Sequence, residues 1–247
     1  GAAGTTLVKF TPSEFSMVAL NPVSTPQSMA LVTVRRDCPT AAALNKTTTV
    51  ILDFDADTSI LNAYNDDNET EFIPLPTSLH TTTPALVSNK ITLEFAAGEF
   101  AKPIMVNIPN AFNFDFSKQY ALTYTLSSVT GEGVISENVP TVVVCQVLAK
   151  NKYDGKYEIT ALSPMVDVVA PTLTGYYPFI FELETTGEHT VACLLTDPGY
   201  YTYYHPITSG ASYSAYGAFG LELEFDHAGT GEIIAVYNPW GNPPSNT

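Results

Sequence analysis

Three carboxylates at alternate positions, Asp53, Asp55 and Asp57, are the first residues whose spacing suggests chemistry. A helix–loop–helix calcium site opens this way, but it needs Gly at its sixth position and Glu at its twelfth. Thr58 and Tyr64 stand there instead. Asp53 and Asp55 therefore read as solvent-facing strand residues between Leu52 and Phe54. Asp66, Asp67 and Glu69 form a looser cluster, of a kind that is ordinarily just solvated. The histidines, His80, His189, His205 and His227, lie too far apart for an H-x-H or H-x-x-x-H zinc motif, so no metal or other cofactor is implied. No Gly-x-Ser-x-Gly elbow and no recognisable cysteine nucleophile is present, and Gly131-Glu132-Gly133 lacks the rest of a phosphate-binding fingerprint. No catalytic residue is assigned. Glu182, Glu184, Glu222 and Glu224 are the candidates for a glycoside-cleaving carboxylate pair. They alternate with Phe181, Leu183, Leu221 and Leu223, as on the wet face of a half-buried strand. The structural reading is preferred, and an atypical glycoside hydrolase is the remote alternative.

Aromatic side chains say more. Tyr176, Tyr177, Tyr200, Tyr201, Tyr203, Tyr204, Tyr213, Tyr216, Tyr237 and Trp240 fall within 65 residues. The run Tyr200-Tyr201-Thr202-Tyr203-Tyr204-His205 puts rings on both faces of any strand, so some must meet water. A tyrosine offers an apolar ring face and a polar hydroxyl together. Sugar rings present C–H faces and a hydroxyl rim, which such a platform complements. Tyr200, Tyr201, Tyr203, Tyr204 and Trp240 are the stacking candidates, with His205 as a polar contact. The structural alternative is that these tyrosines fill a small barrel and its rim.

Charge narrows the partners. The chain carries 10 basic and 25 acidic residues, and no Lys or Arg follows Lys156. Nucleic acid is excluded as a partner of the second half, because phosphate counterions are displaced by Lys and Arg. A basic patch on an anionic membrane is excluded on the same ground. Neutral polysaccharides or oligosaccharides and cations remain. Charged residues are only 14% of the chain, so Thr, Ser, Asn and Tyr must supply much of its polar surface. Of the three cysteines, Cys38 and Cys145 both lie in strand-like runs where a disulfide is conceivable, and buried free thiols are the preferred reading. The opening Gly-Ala-Ala-Gly-Thr-Thr reads as a mature exported form, Gly1 being a cloning remnant and the export signal trimmed away.

Short β-branched and aromatic runs between turn residues predict an all-β chain. Strands are expected near Phe15–Leu20, Met29–Arg35, Thr48–Phe54, Ile91–Phe95, Lys102–Ile108, Gln119–Ser127 and Thr141–Leu148. Seven strands in this span fit an immunoglobulin-like β-sandwich over residues 1–150. Ile60, Leu61 and Tyr64 stand at helical spacing, predicting a short helix over Asp57–Tyr64 that crosses between the sheets and stops at Asn65–Asn68. Composition shifts at Ala149-Lys150-Asn151-Lys152. Residues 151–247 are expected to form a small antiparallel β-barrel or half-barrel, with strands near Pro178–Thr185, Thr190–Leu195, Tyr200–Tyr204, Leu221–Phe225 and Glu232–Tyr237. The Pro- and Gly-rich tail from Asn238 cannot continue a strand.

Leu61-Asn62-Ala63-Tyr64-Asn65, Phe72-Ile73-Pro74-Leu75-Pro76 and Ile91-Thr92-Leu93-Glu94-Phe95 with Gly98 carry a resemblance, joined by Tyr120-Ala121-Leu122-Thr123-Tyr124 and Val142-Val143-Val144. Over about residues 28–150 the chain is similar to an N-terminal domain of gut Bacteroidetes surface lipoproteins. Asn151-Lys152-Tyr153-Asp154-Gly155-Lys156-Tyr157 resembles the start of the small β-barrel domain that often follows. The resemblance implies an immunoglobulin-like first domain and an extracytoplasmic protein, lipid-anchored at the outer membrane through a Cys absent here. It also implies association with other outer-membrane glycan-uptake proteins and a non-enzymatic role in binding or presenting glycans. An adhesion or assembly subunit that binds another surface protein is the alternative from a different class.

Overall fold

A computed structural model of the chain describes residues 4–160, 166, 170–196, 203–210 and 212–239, with side chains at all of these except 213–219. The chain divides into two compact units, Gly1–Ala149 and Lys150–Thr247. Strands dominate both, and among the described residues no helix is long and apolar enough to cross a membrane.

The first unit contains β1 (Leu7–Thr11), β2 (Glu14–Leu20), β3 (Gln27–Asp37), β4 (Thr48–Phe54), β5 (Ile73–Pro74), β6 (Thr81–Thr83), β7 (Lys90–Phe95), β8 (Ala101–Ile108), β9 (Tyr120–Gly131), β10 (Val134–Ile135) and β11 (Val142–Ala149). One sheet runs β10-β1-β3-β8-β6 and the other β2-β11-β9-β4-β7, with the short β5 also pairing with β9. Strict alternation in β7 (Ile91, Leu93 and Phe95 buried) and β8 (Ile104, Val106 and Ile108 buried) turns one face of each strand inward. These side chains join Val8, Phe10, Val34, Leu52, Leu122 and Val147 in one core between the sheets, as a β-sandwich requires.

Two α-helices interrupt the strands among the described residues, α1 (Ala41–Leu44) and α2 (Ser59–Asn68). The second departs from expectation in place and length. It does not cross between the sheets, since the chain returns through β5 to the sheet that β4 left. Instead, Leu61 and Tyr64 pack with Phe15, Phe72, Ala121 and Val144 in a second cluster on the outer face of the six-stranded sheet. Alternation therefore fails in β9, where five consecutive residues are buried. Its N-terminus is held by the acidic run: Asp57 Oδ1 accepts the Ser59 amide (3.1 Å) and Asp55 Oδ2 the Leu61 amide (2.9 Å). Asp55 is thus a helix-capping residue beyond the end of β4, not a strand residue.

Where loops are buried, side chains satisfy their backbone. Arg36 is 1% exposed and lies over the Phe95 ring. Its guanidinium donates to the carbonyl of Lys46 (2.9 Å), to Thr48 Oγ1 (2.6 Å) and to the carbonyl of Glu99, with weaker contacts to the carbonyls of Leu44 and Ala96. Cys38, Cys145 and Cys193 are all free thiols, and burial pushes those of Cys145 and Cys193 up to about 12.

The second unit has β12 (Gly155–Ile159), β13 (Leu173–Gly175), β14 (Phe179–Thr185), β15 (Thr190–Leu195), β16 (Tyr204–Ser209), β17 (Ser212–Gly220), β18 (Glu222–Phe225) and β19 (Ile233–Tyr237). An antiparallel sheet runs β12-β14-β15-β18-β19, and β13-β16-β17 make a second. The larger sheet is a curled half-barrel whose concave core holds Phe179, Phe181, Leu183, Val191, Cys193, Leu195 and Phe225. The segment before β12 fastens it. Asn151 Nδ2 donates to the carbonyls of Gly187 and Thr190, Asp154 Oδ2 accepts the amide and hydroxyl of Thr185, and Tyr153 stacks on Phe225 at 3.6 Å. β17 lies outside the expected strands, and β16 overlaps the one expected near Tyr200–Tyr204 only at Tyr204. Pro206 sits where the β16–β17 register shifts, a position that tolerates a residue without an amide donor.

Asp226 closes the β18–β19 hairpin. Its carboxylate accepts the amides of Thr230 (3.0 Å), Gly231 (2.8 Å) and Glu232 (3.2 Å). These bonds, that from Thr230 foremost, pull its pKa down to about 2. A carboxyl lowered in the folded state stabilises the fold above the ordinary Asp value of about 3.9, and this is lost as pH falls towards the folded value. Acid unfolding of Asp226→Asn is therefore expected to lose part of its pH dependence between about 4 and 2, with an unchanged slope nearer neutrality. Arg36→Met leaves several buried carbonyls without donors and is expected to cost about 3 kcal/mol, read from chemical denaturation of the full chain.

Candidate functional site

The site grows from the pairing of β13 with β16. Leu173 pairs with Ser209, Thr174 with Thr208 and Gly175 with Ile207. Continuing that antiparallel register sets Tyr176 opposite Pro206 and Tyr177 opposite His205, so the pair just past β13 lies at the same end of the three-stranded sheet as Tyr203 and Tyr204. Tyr176 is 37% exposed, and Tyr177, Tyr203 and Tyr204 are half-buried.

Two of these rings have defined anchors. Tyr203 donates its hydroxyl hydrogen to Glu184 Oε2 at 2.6 Å. Tyr177 packs against Phe179 (5.4 Å between centroids) and lies directly over Gly175. A Cβ at position 175 would sit 2.2 Å from Tyr177 Cε2, so the ring holds this place only because Gly175 has no side chain.

His205 does not share this surface. It is 7% exposed, turned edge-on to Phe179 (5.5 Å) and Phe181 (6.0 Å), and burial lowers its pKa below the ordinary value. His205, Pro206 and Ile207 are buried in succession, so this stretch of β16 is covered on both faces. The expected polar contact is therefore an interior residue. Tyr200, Tyr201 and Trp240, three of the expected stacking residues, lie outside the described residues. Tyr176, Tyr177 and Glu184 complete the described site. The first two belong to the aromatic run, but nothing in their spacing announces that they lie at the same sheet end as Tyr203 and Tyr204.

The four candidate glutamates fall into two strands separated by β15. Glu182 lies 3.7 Å from Lys156 Nζ, Glu184 holds Tyr203, and Glu224 accepts from Tyr237 and contacts His227 Nε2 at 3.2 Å. Hydrogen bonds to Tyr237, then His227, lower the Glu224 pKa, so this carboxyl is held ionised rather than poised to donate a proton. Among the described residues no group of three or more His, Cys, Asp or Glu is arranged to hold a metal. A cleft of about 370 Å³ in the first unit is lined by Asp53, Phe54, Asp55, Asp57, Ile60 and Thr125. Two of those carboxylates, Asp55 and Asp57, are engaged by the amides of α2.

Comparison with known proteins bears on the fold. A family model whose description reads "-like, N-terminal domain" matches residues 31–133, inside the first unit. No curated protein matches the sequence. A Bacteroides ovatus protein of unknown function is similar in structure, with a TM-score of 0.52 and 10% identity over 92% of this chain and 71% of that one. A multidomain protein including DUF1735 from the same organism gives a TM-score of 0.51 and 9% identity over 92% of this chain and 70% of that one. An auxiliary nutrient binding protein from Bacteroides thetaiotaomicron gives 0.48 and 14% over 88% of this chain and 79% of that one. At these identities the first two establish a shared β-rich fold, and the third carries no argument.

Gly175→Ala is expected to drive the Tyr177 ring from its place and to cost about 1–3 kcal/mol through overpacking. The loss should be largely absent when Gly175→Ala is introduced beside Tyr177→Ala, a double-mutant cycle read by thermal unfolding.

Proposed function

We propose that the chain is a non-enzymatic binding protein for neutral glycans and that the tyrosine end of the second unit is its ligand surface. The observation that supports this reading is the placing of Tyr176 and Tyr177 at the same end of the β13–β16 pair as Tyr203 and Tyr204, with the Tyr203 hydroxyl held by Glu184. Half-exposed rings lie against the C–H faces of pyranose units, and the fixed carboxylate accepts hydroxyl hydrogens beside them. A ring already positioned by its own hydrogen bond loses little freedom on binding. The acidic second half favours uncharged ligands over anionic ones. In this reading the first unit is a spacer and packing platform. The protein acts outside the cytoplasm, lipid-anchored at the outer membrane, beside other glycan-uptake proteins.

Affinity electrophoresis in gels containing neutral polysaccharides tests it. Retardation by at least one neutral glycan is expected, weakened about tenfold by Tyr176→Ala or Tyr203→Ala while the melting temperature stays near that of the parent. Migration unaffected by every neutral glycan, or retardation that neither substitution changes, would overturn the assignment.

A further inference from the structure

Charge is spread unevenly over the first unit. The whole chain has 10 basic and 25 acidic residues, yet half of its cations, Lys9, Arg35, Arg36, Lys46 and Lys102, gather where the end of β3 meets the turn from β7 to β8. Among the described residues three carboxylates pair with them: Asp37 with Lys9 and Arg35, Glu99 with Lys102, and Glu132 with Lys46. This end of an acidic protein is therefore locally cationic, and a local excess of one sign concentrates ligands of the other.

Two of these cations stand on the outer face of the five-stranded sheet. Lys9 on β1 pairs with Arg35 on β3, and Arg35 with Ala101 on β8. One step along, Thr11 pairs with Thr33, and Thr33 with Pro103. These six alternate with Val8, Phe10, Val34 and Ile104, which fill the core on the other face. Thr11, Arg35, Ala101 and Pro103 are exposed, and Lys9 and Thr33 half-buried. A cationic row thus lies about 6.7 Å from a row of hydroxyls and a proline ring, a step that one sugar ring spans. Asp37 fixes the head of Arg35, accepting from its Nε at 2.8 Å while it meets Lys9 Nζ at 2.6 Å. The guanidinium lies 5.9 Å over the ring of Phe100, which is 53% exposed. Neither Nη group of Arg35 has a protein partner among the described residues, and Lys9 keeps two of its three donors.

We infer that this face is a second ligand surface and that it takes an acidic oligosaccharide whose sugar residues carry a carboxylate. The paired Nη groups of Arg35 match the two coplanar oxygens of that group, and Lys9 stands beside them. Phe100 offers its ring to an apolar sugar face, and Thr11 and Thr33 offer hydroxyls to the rim. Lys9, Arg35 and Asp37 together leave one positive charge, which a single carboxylate balances. A sulfate ester brings a third oxygen out of the plane of the fork and fits less well. The surface belongs to the first unit and does not depend on the tyrosine end of the second.

Calorimetric titration of the full chain tests this, with oligogalacturonate, its methyl ester and a sulfated oligosaccharide of equal length as probes. The titrations are run in the parent and in Tyr176→Ala, so that sugar binding at the tyrosine end is set aside. In both, the acid form is expected to bind saturably, about tenfold tighter than either comparator in Tyr176→Ala, and more weakly as salt is added. Arg35→Met keeps the apolar stem without the fork, and Arg35→Lys keeps the charge alone. Both are expected to weaken binding about tenfold while the melting temperature stays near that of the parent and retardation by neutral glycans is unchanged. Full affinity in Arg35→Lys, or a sulfated probe bound as tightly as the acid, would reduce the effect to net charge and overturn the proposal. So would an ester bound as tightly as the acid in Tyr176→Ala, loss of acid binding in that variant, or no saturation by the acid.

Discussion

Arg36 occupies a place where water cannot reach and where a helix-bearing loop and a strand connection both turn their carbonyls inward. Burying such groups unpaired costs more than a hydrogen bond returns, so a single planar donor serves several of them at once. Its position over Phe95 ties this polar knot to the inter-sheet core. The second unit meets the same constraint with uncharged and acidic groups. Asn151 satisfies the Gly187 and Thr190 carbonyls, and Asp154 satisfies Thr185. The sheets can pack tightly because the loops between them are not left with orphaned backbone.

In the second unit this rigidity has a functional side. The strand-to-strand pairing that aligns β13 with β16 carries tyrosines to one end, and the Gly175 surface sets the tilt of Tyr177. Glu184 restrains Tyr203 while its neighbour on the same strand, Glu182, faces Lys156. Aromatic rings held this way resemble a shaped surface rather than a set of mobile side chains. The Asp226 carboxylate likewise fixes the turn between β18 and β19 by accepting three of its amides.

Much of the fold was legible before any coordinates. Thr48–Phe54, Ile91–Phe95 and Thr190–Leu195 show their strand character through alternation or β-branching, because a sheet with one wet face imposes that pattern. The pattern misled where a strand is buried on both sides or broken by unusual residues. β17 hides behind glycine and serine, and β16 behind Pro206. The helix over Ser59–Asn68 was visible from its spacing, but its seat on the outer face was not, since spacing reports which side is apolar and not what covers it.

The sequence by itself determined the all-β class, the acidic surface and the concentration of tyrosine in the second half. These follow from residue types and short-range periodicity, which act within a few residues of chain. Which tyrosines share a sheet end, that His205 turns to the interior, and that Glu184 rather than a histidine supports a ring were decided only by tertiary structure. Each depends on strand register, and register sets side by side residues separated by some thirty positions through bonds that no local pattern encodes.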